Sequence, residues 1–128
     1  MSFKDEMLCS NSHEYVVKDG NSYTVGLTDY AIEQLGDIVF LELPSVGDSF
    51  GKGETFANIE SVKAASEIYM PISGEIIEVN DELVDSPEML NEDCYEGGWL
   101  VKVSSNSYQE DIDDLMTYDD YKSELESL

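Results

Sequence analysis

The sequence contains no arginine. Its six basic residues are all lysine (Lys4, Lys18, Lys52, Lys63, Lys102 and Lys122), set against 29 acidic ones, and the formal net charge is −23. Without guanidinium groups the chain lacks the planar, bidentate clamp that usually holds phosphate or carboxylate ligands. Its charge repels nucleic-acid phosphates and an anionic membrane surface alike, so neither is expected as a partner. The charge favours partners that carry basic patches.

Histidine occurs once, at His13, which removes catalysis by histidine pairs. The two cysteines, Cys9 and Cys94, form no CxxC and no zinc-like spacing, so two free thiols in a reducing compartment and no metal are expected. No apolar run reaches membrane-spanning length. The opening residues Met1 to Ser10 hold neither the apolar core of a secretion signal nor an arginine-rich transit pattern. The expected location is cytoplasmic; a mature organellar protein with its presequence trimmed would read the same. There is no nucleophile elbow, and the glycine-rich stretch Ser45–Gly53 lacks the GxxxxGK[ST] pattern of a phosphate loop. It reads as a sharp corner, and the chain as a protein that is not an enzyme.

Turn signals are frequent. With 128 residues the length is that of one domain. His13–Lys18 and Ser22–Leu27 flank Asp19-Gly20-Asn21, which predicts a hairpin. Thr28 then caps a short helix whose Ala31, Ile32 and Leu35 share a stripe and whose stop is Gly36. Ile38–Leu43 reads as an apolar strand ended by Pro44, and Gly74–Asn80 as another. Asp81–Asn91 reads as a polar loop, with Ser86 and Pro87 opening a helical turn. Trp99–Val103 is the last expected strand. In the tail, Ser107 and Glu110 predict a capping box ahead of Ile112, Leu115 and Met116. Thr117 caps a second helix with Tyr118, Tyr121, Leu125 and Leu128 on one face. The tail's carboxylates read as a solvated outer face. Six or seven short strands with one inserted helix and C-terminal helices predict a mainly β fold, a small sandwich or barrel. A single domain over 1–128 is expected, with its core at about 13–104 and an acidic helical tail at about 107–128.

Mid-chain, Thr55–Ile59 and Ile68–Ile72 are apolar, β-branched and bounded by Gly53 and Gly74. They predict a hairpin whose tip, Glu60-Ser61-Val62-Lys63-Ala64-Ala65-Ser66-Glu67, places Lys63 at its apex. Most tip lysines only solvate an edge; this one also offers a primary amine on a long stem among compact neighbours.

Glu60-Ser61-Val62-Lys63-Ala64, with Ser66-Glu67-Ile68 and Pro71-Ile72-Ser73-Gly74-Glu75, resembles the lipoylation hairpin of the glycine cleavage system H protein family. His13-Glu14-Tyr15, Val25–Ala31, Leu35–Pro44, Val79-Asn80 and Gly98-Trp99-Leu100 resemble further family segments in order and spacing. The resemblance spans about residues 13 to 125. Acyltransferase lipoyl domains usually carry Asp-Lys-Ala at the tip and biotin carriers Met-Lys-Met; Val62-Lys63-Ala64 fits neither. Tyr15 stands where tryptophan is common in the family, and Met70 where alanine or serine often stands.

The resemblance implies the barrel-sandwich hybrid of lipoyl and biotinyl carriers, with the added helices. It implies lipoate held as an amide on Lys63, within the hairpin residues Glu60, Ser61, Val62 and Ala64. It implies a carrier of the aminomethyl group of glycine, moving between a pyridoxal-phosphate glycine decarboxylase and a tetrahydrofolate-dependent aminomethyltransferase. Dihydrolipoyl dehydrogenase would reoxidise the arm, and a lipoate ligase or lipoyl synthase would install it. The loaded arm is expected to fold back into a shielding cleft at Glu14, and the carrier to be a monomer. Two other readings stay open at this point: a relay that supplies lipoate to other complexes, and an unmodified acidic binding module.

Overall fold

Asp19-Gly20 turns the first hairpin as its chemistry requires. The computed structural model describes residues 6–126, and in it β2 (Glu14–Asp19) pairs antiparallel with β3 (Ser22–Leu27), Asp19 lying opposite Ser22. The two-residue connection has φ +62° at Gly20, the first loop position, where such hairpins favour glycine. Thr28 follows directly. Its Oγ1 accepts from the Ala31 N–H at 3.3 Å and starts α1 (Asp29–Leu35), which ends at Gly36 with φ +82°. Seven residues do not hold a helix in water; Ile32, buried against the sheets, holds this one.

The remaining strands are β1 (Leu8–Cys9), β4 (Ile38–Glu42), β5 (Ser49–Phe50), β6 (Thr55–Ser61), β7 (Ala65–Tyr69), β8 (Gly74–Val79), β9 (Val101–Ser104) and β10 (Met116–Thr117). One sheet has seven strands in the order β10-β1-β2-β3-β9-β8-β5, and the other three in the order β4-β6-β7. The main core lies where the sheets face each other: Val16, Val25, Leu41, Ile59, Ile68 and Ile76, among others, are fully or almost fully buried. This is the mainly β, barrel-sandwich architecture expected of a carrier domain.

β2 is covered on both faces. Val16 points into the main core, whereas Tyr15 and Val17 point the other way, into a second cluster with Met7, Cys9 and Tyr121. The period-two alternation of a strand produces this split. The second cluster is roofed by α5 (Tyr118–Glu126), started by Thr117, whose Oγ1 accepts from the Asp120 N–H at 3.2 Å. Leu128, expected on the face of α5, lies outside the described residues.

Several elements differ from the sequence reading. Ten strands form among the described residues, more than expected, because β1, β5 and β10 are two residues long and carry no period of their own. The sheet therefore extends outside the expected core at both ends, through Leu8–Cys9 and Met116–Thr117. The polar loop folds into two four-residue helices, α2 (Glu82–Asp85) and α3 (Met89–Glu92). Leu83 and Leu90 plug the core from them. Ser86 ends α2, and its carbonyl accepts from the Met89 N–H at 3.0 Å, so the turn expected at Ser86-Pro87 does open there. The Ser107–Glu110 capping box does not form. Ser107 Oγ donates to Asp111 Oδ2 at 2.8 Å instead, at the start of α4 (Tyr108–Asp111). Asp111 Oδ2 also accepts from the Ser73 N–H at 2.8 Å, and Lys52 Nζ bonds both the Asp111 carbonyl and the Asp114 carboxylate. These contacts tie part of the acidic tail to the body; its remaining carboxylates face solvent, as the sequence reading expects of an outer face. Cys9 and Cys94 are buried free thiols, and burial pushes both up to about 12.

Candidate functional site

The tip between β6 and β7 is held by its own serine. Ser61 Oγ accepts from the N–H groups of Lys63 (3.2 Å) and Ala64 (3.1 Å), while the Ser61 N–H donates to the Ala64 carbonyl at 2.8 Å. A serine hydroxyl that bonds its own backbone two and three residues on imposes a turn. The Val62 N–H donates to the Asp37 carbonyl at 3.0 Å, which pins the tip to the link between α1 and β4. Val62 is 66% exposed, and Lys63 and Ala64 are exposed beside it. Glu60 points to solvent one pair below the tip, in register with Phe40 and Ala65. Ser61, Val62, Lys63 and Ala64 thus share one hydrogen-bonded turn, with Glu60 on the strand just below it.

The stem of Lys63 lies over Gly36. A Cβ built on Gly36 would stand 3.3 Å from Lys63 Cε and 3.6 Å from Nζ. Gly36 also needs its left-handed φ of +82°, so Gly36→Ala meets two objections at once. It is expected to cost about 1–2 kcal/mol in a denaturant titration and to displace the lysine stem. A variant as stable as the parent would contradict this geometry.

Beside the tip, on one flank of α1, lies a cleft of about 280 Å³. Leu27, Tyr30, Ala31, Leu35, Ile59 and Ile68 give it an apolar lining, and Ser12, His13, Glu14, Gln34, Ser66 and Glu67 supply its polar groups. Among the latter, Glu14 is built in most firmly: it is 2% exposed. Its Oε1 accepts from Ser10 Oγ at 2.7 Å and Ser12 Oγ at 2.5 Å, and its Oε2 from the Tyr69 N–H at 3.3 Å. The last bond reaches from the seven-stranded sheet to the edge of the three-stranded one. Glu14 therefore stitches the two sheets together at the cleft. Ser10, Ser12 and Tyr69 were not identified from sequence; the only sign of them is the Ser-x-Ser spacing just ahead of His13-Glu14.

Burial pushes the Glu14 carboxyl up, and the hydrogen bonds from Ser12, Ser10 and Tyr69 offset this in part. The folded protein thus holds this proton more tightly than the unfolded chain. The stability it contributes is full below the unfolded glutamate value and is lost as pH rises through the folded one. Thermal unfolding midpoints of Glu14→Gln should accordingly fall less than the parent's between the ordinary glutamate range and neutrality. Parallel curves would contradict the shift. Among the described residues, no group of three or more His, Cys, Asp or Glu side chains could hold a metal ion.

The lining fits a lipoyl arm. Lys63 is exposed, its stem lies over a glycine, and the neighbouring cleft has an apolar lining with carboxylate and hydroxyl groups inside.

Comparison with known proteins gives one consistent result. The family model described as "Glycine cleavage H-protein" matches residues 7–128. The glycine cleavage system H protein of Gloeothece citriformis is 48% identical over 124 residues, which is 97% of this chain and 95% of the relative. That of Herpetosiphon aurantiacus is 60% identical over 99 residues, 77% of each. The crystal structure of a glycine cleavage system H protein from Mycobacterium marinum superposes with a TM-score of 0.85 at 33% identity, covering 94% of this chain and 96% of that one.

Proposed function

The chain belongs to the glycine cleavage H-protein family, and from that premise we propose that Lys63 is its lipoyl attachment site and that the cleft at Glu14 receives the arm. The protein is a carrier of the glycine cleavage system. Lys63 would hold lipoate as an amide, and the group would supply dithiolane chemistry for carrying the aminomethyl group of glycine between the pyridoxal-phosphate decarboxylase and the tetrahydrofolate aminomethyltransferase, with dihydrolipoyl dehydrogenase as the third partner.

Everything else is the work of this chain's own residues. Ser61 and the Asp37 carbonyl hold the tip backbone, so the Lys63 stem is presented to a lipoate ligase from a fixed base. Gly36 leaves room for the stem. Leu35, Ile59 and Ile68 offer the arm an apolar bed, and Glu14 offers an acceptor whose position two serines and a backbone N–H fix. Tethering raises the effective concentration of the cargo at each partner. The observation that carries this reading is the juxtaposition of an exposed, pinned lysine with a cleft that hides a carboxylate.

The test is to treat the unmodified protein with a lipoate ligase, lipoate and ATP, and then map the product by peptide mass spectrometry. One lipoyl group, on Lys63 alone, is expected. No modification, or modification at another lysine, would defeat the assignment.

Charge sets a further expectation. With a net charge of −23 and no arginine, encounter with partner enzymes is steered electrostatically. The KM of the glycine decarboxylase for this carrier should rise about tenfold from low to physiological ionic strength. A flat dependence would remove the electrostatic argument.

A further inference from the structure

His13 is the only non-glycine residue with positive φ among the described residues, at +74°. The left-handed conformation is unfavourable for a side chain of this size and persists only where surroundings enforce it. Here it closes a tight turn. The His13 N–H donates to the Ser10 carbonyl at 3.1 Å, the Ser10 N–H to the Glu14 carbonyl at 2.8 Å, and the Thr28 N–H to the His13 carbonyl at 3.0 Å. This turn carries the two serine hydroxyls that hold the Glu14 carboxylate.

The imidazole is anchored from the far end of the chain. Tyr121, in α5, is 1% exposed, and its hydroxyl lies 2.7 Å from His13 Nδ1 and 2.8 Å from Thr28 Oγ1. The direction of these bonds follows from counting protons. Thr28 is fully buried, and its Oγ1 already accepts from the Ala31 N–H at 3.3 Å. Its own proton has Tyr121 Oη as its partner among the described bonds. Thr28 therefore donates to Tyr121, and Tyr121 donates to His13 Nδ1. The reverse order would strand the buried threonine proton, and donation to Tyr121 Oη from both sides would strand the buried phenol proton; native structures avoid both. Burial keeps both rings neutral, lowering the imidazole's pKa and raising the phenol's. With Nδ1 accepting, the imidazole proton sits on Nε2. The ring also packs against Tyr30, centroid to centroid 4.8 Å, on the wall of the cleft.

We propose that Tyr121 is a positioning residue for the cleft: its hydroxyl fixes His13 as the Nε2–H tautomer and thereby holds the turn that places Glu14. The link to function rests on the reading that the cleft shelters the loaded arm. A neutral imidazole with a free lone pair beside Glu14 would act as a base toward a guest ammonium group. Tyr121 occupies that lone pair.

The experiment uses the full chain without lipoate and records long-range ¹H–¹⁵N correlations of the imidazole, which are unambiguous because the protein has one histidine. The parent should show the Nε2–H pattern. Tyr121→Phe should move the tautomer ratio about fivefold toward Nδ1–H, the factor corresponding to one neutral hydrogen bond. Tyr118→Phe serves as the control: it lies on the same helix, and its hydroxyl bonds Asp29 Oδ2 at 3.0 Å instead. It should leave the ring unchanged. In the lipoylated, loaded protein, Tyr121→Phe should shed its cargo about fivefold faster without the transferase, and Tyr118→Phe at the parental rate. An unchanged tautomer in Tyr121→Phe, or an equal change in Tyr118→Phe, overturns the proposal. If the folded parent sheds its cargo as fast as the urea-unfolded protein, the sheltering reading fails instead, and the tautomer result still stands or falls by itself.

Discussion

Lys63→Arg should fold like the parent and carry nothing. The side chain stands exposed at a tip whose shape comes from Ser61 and the Asp37 carbonyl, that is, from backbone bonds that do not involve the lysine head group. Exchange at such a position changes stability by about 0.5 kcal/mol or less. Arginine keeps the charge and the length, but its guanidinium is not acylated as an amine is. Lipoate incorporation and glycine turnover should both fall to background while the thermal midpoint holds. A Lys63→Arg protein that still supported glycine turnover would place the attachment site elsewhere.

Gly98→Ala should do the opposite, damaging the fold while leaving the attachment chemistry of Lys63 alone. Gly98 is buried in the loop that enters β9. A Cβ there would collide with the Asp93 carbonyl oxygen and stand 2.7 Å from Cys94 Cα. Both are backbone atoms, so no side-chain rotation relieves the overlap. The displaced segment includes the Cys94 carbonyl, which accepts from the hydroxyl of the fully buried Tyr15 at 3.0 Å. Overpacking of this kind costs about 1–3 kcal/mol, and disturbing the Tyr15 bond adds about 1 kcal/mol. A drop of this order in urea titration is expected, with lipoylation of the folded fraction unchanged. Parental stability would show that the loop shifts freely.

Those two substitutions also separate what could be read from the sequence from what could not. The position of Lys63 at a hairpin tip was legible because its cues are local, two β-branched strands bounded by glycines and compact neighbours, whereas its role came from the family resemblance. The Asp19-Gly20 turn, the Thr28 cap and the Gly36 stop were legible for the same reason. Each is set by chemistry within four residues. Gly98, by contrast, could be matched only by family resemblance, since its close approach to residue 93 depends on how the loop folds back.

The candidate site divides in the same way. Glu14 could be named from the family resemblance, but its partners Ser10, Ser12 and Tyr69 come together only when the two sheets close. Tyr121 reads as one apolar position on an amphipathic helix, and its hydroxyl finds His13 and Thr28 through tertiary packing alone. The strands missed, β1, β5 and β10, are two residues long, too short for any alternation to register. Leu83 and Leu90 each supply one core side chain from a single helical turn, so the polar residues around them dominate the pattern. At Ser107, the expected capping box lost to a competitor, because Asp111 collects the serine hydroxyl and the Ser73 N–H together.

The central claim is that this chain carries the one-carbon unit of glycine on Lys63. Its most direct test is to incubate the lipoylated protein with glycine decarboxylase and isotope-labelled glycine, and to locate the label by intact mass and peptide mapping. The account predicts one labelled aminomethyl group per chain, borne by the lipoyl-lysine at position 63 and discharged on adding the transferase with tetrahydrofolate. A lipoylated Lys63 that the decarboxylase never loads would contradict it.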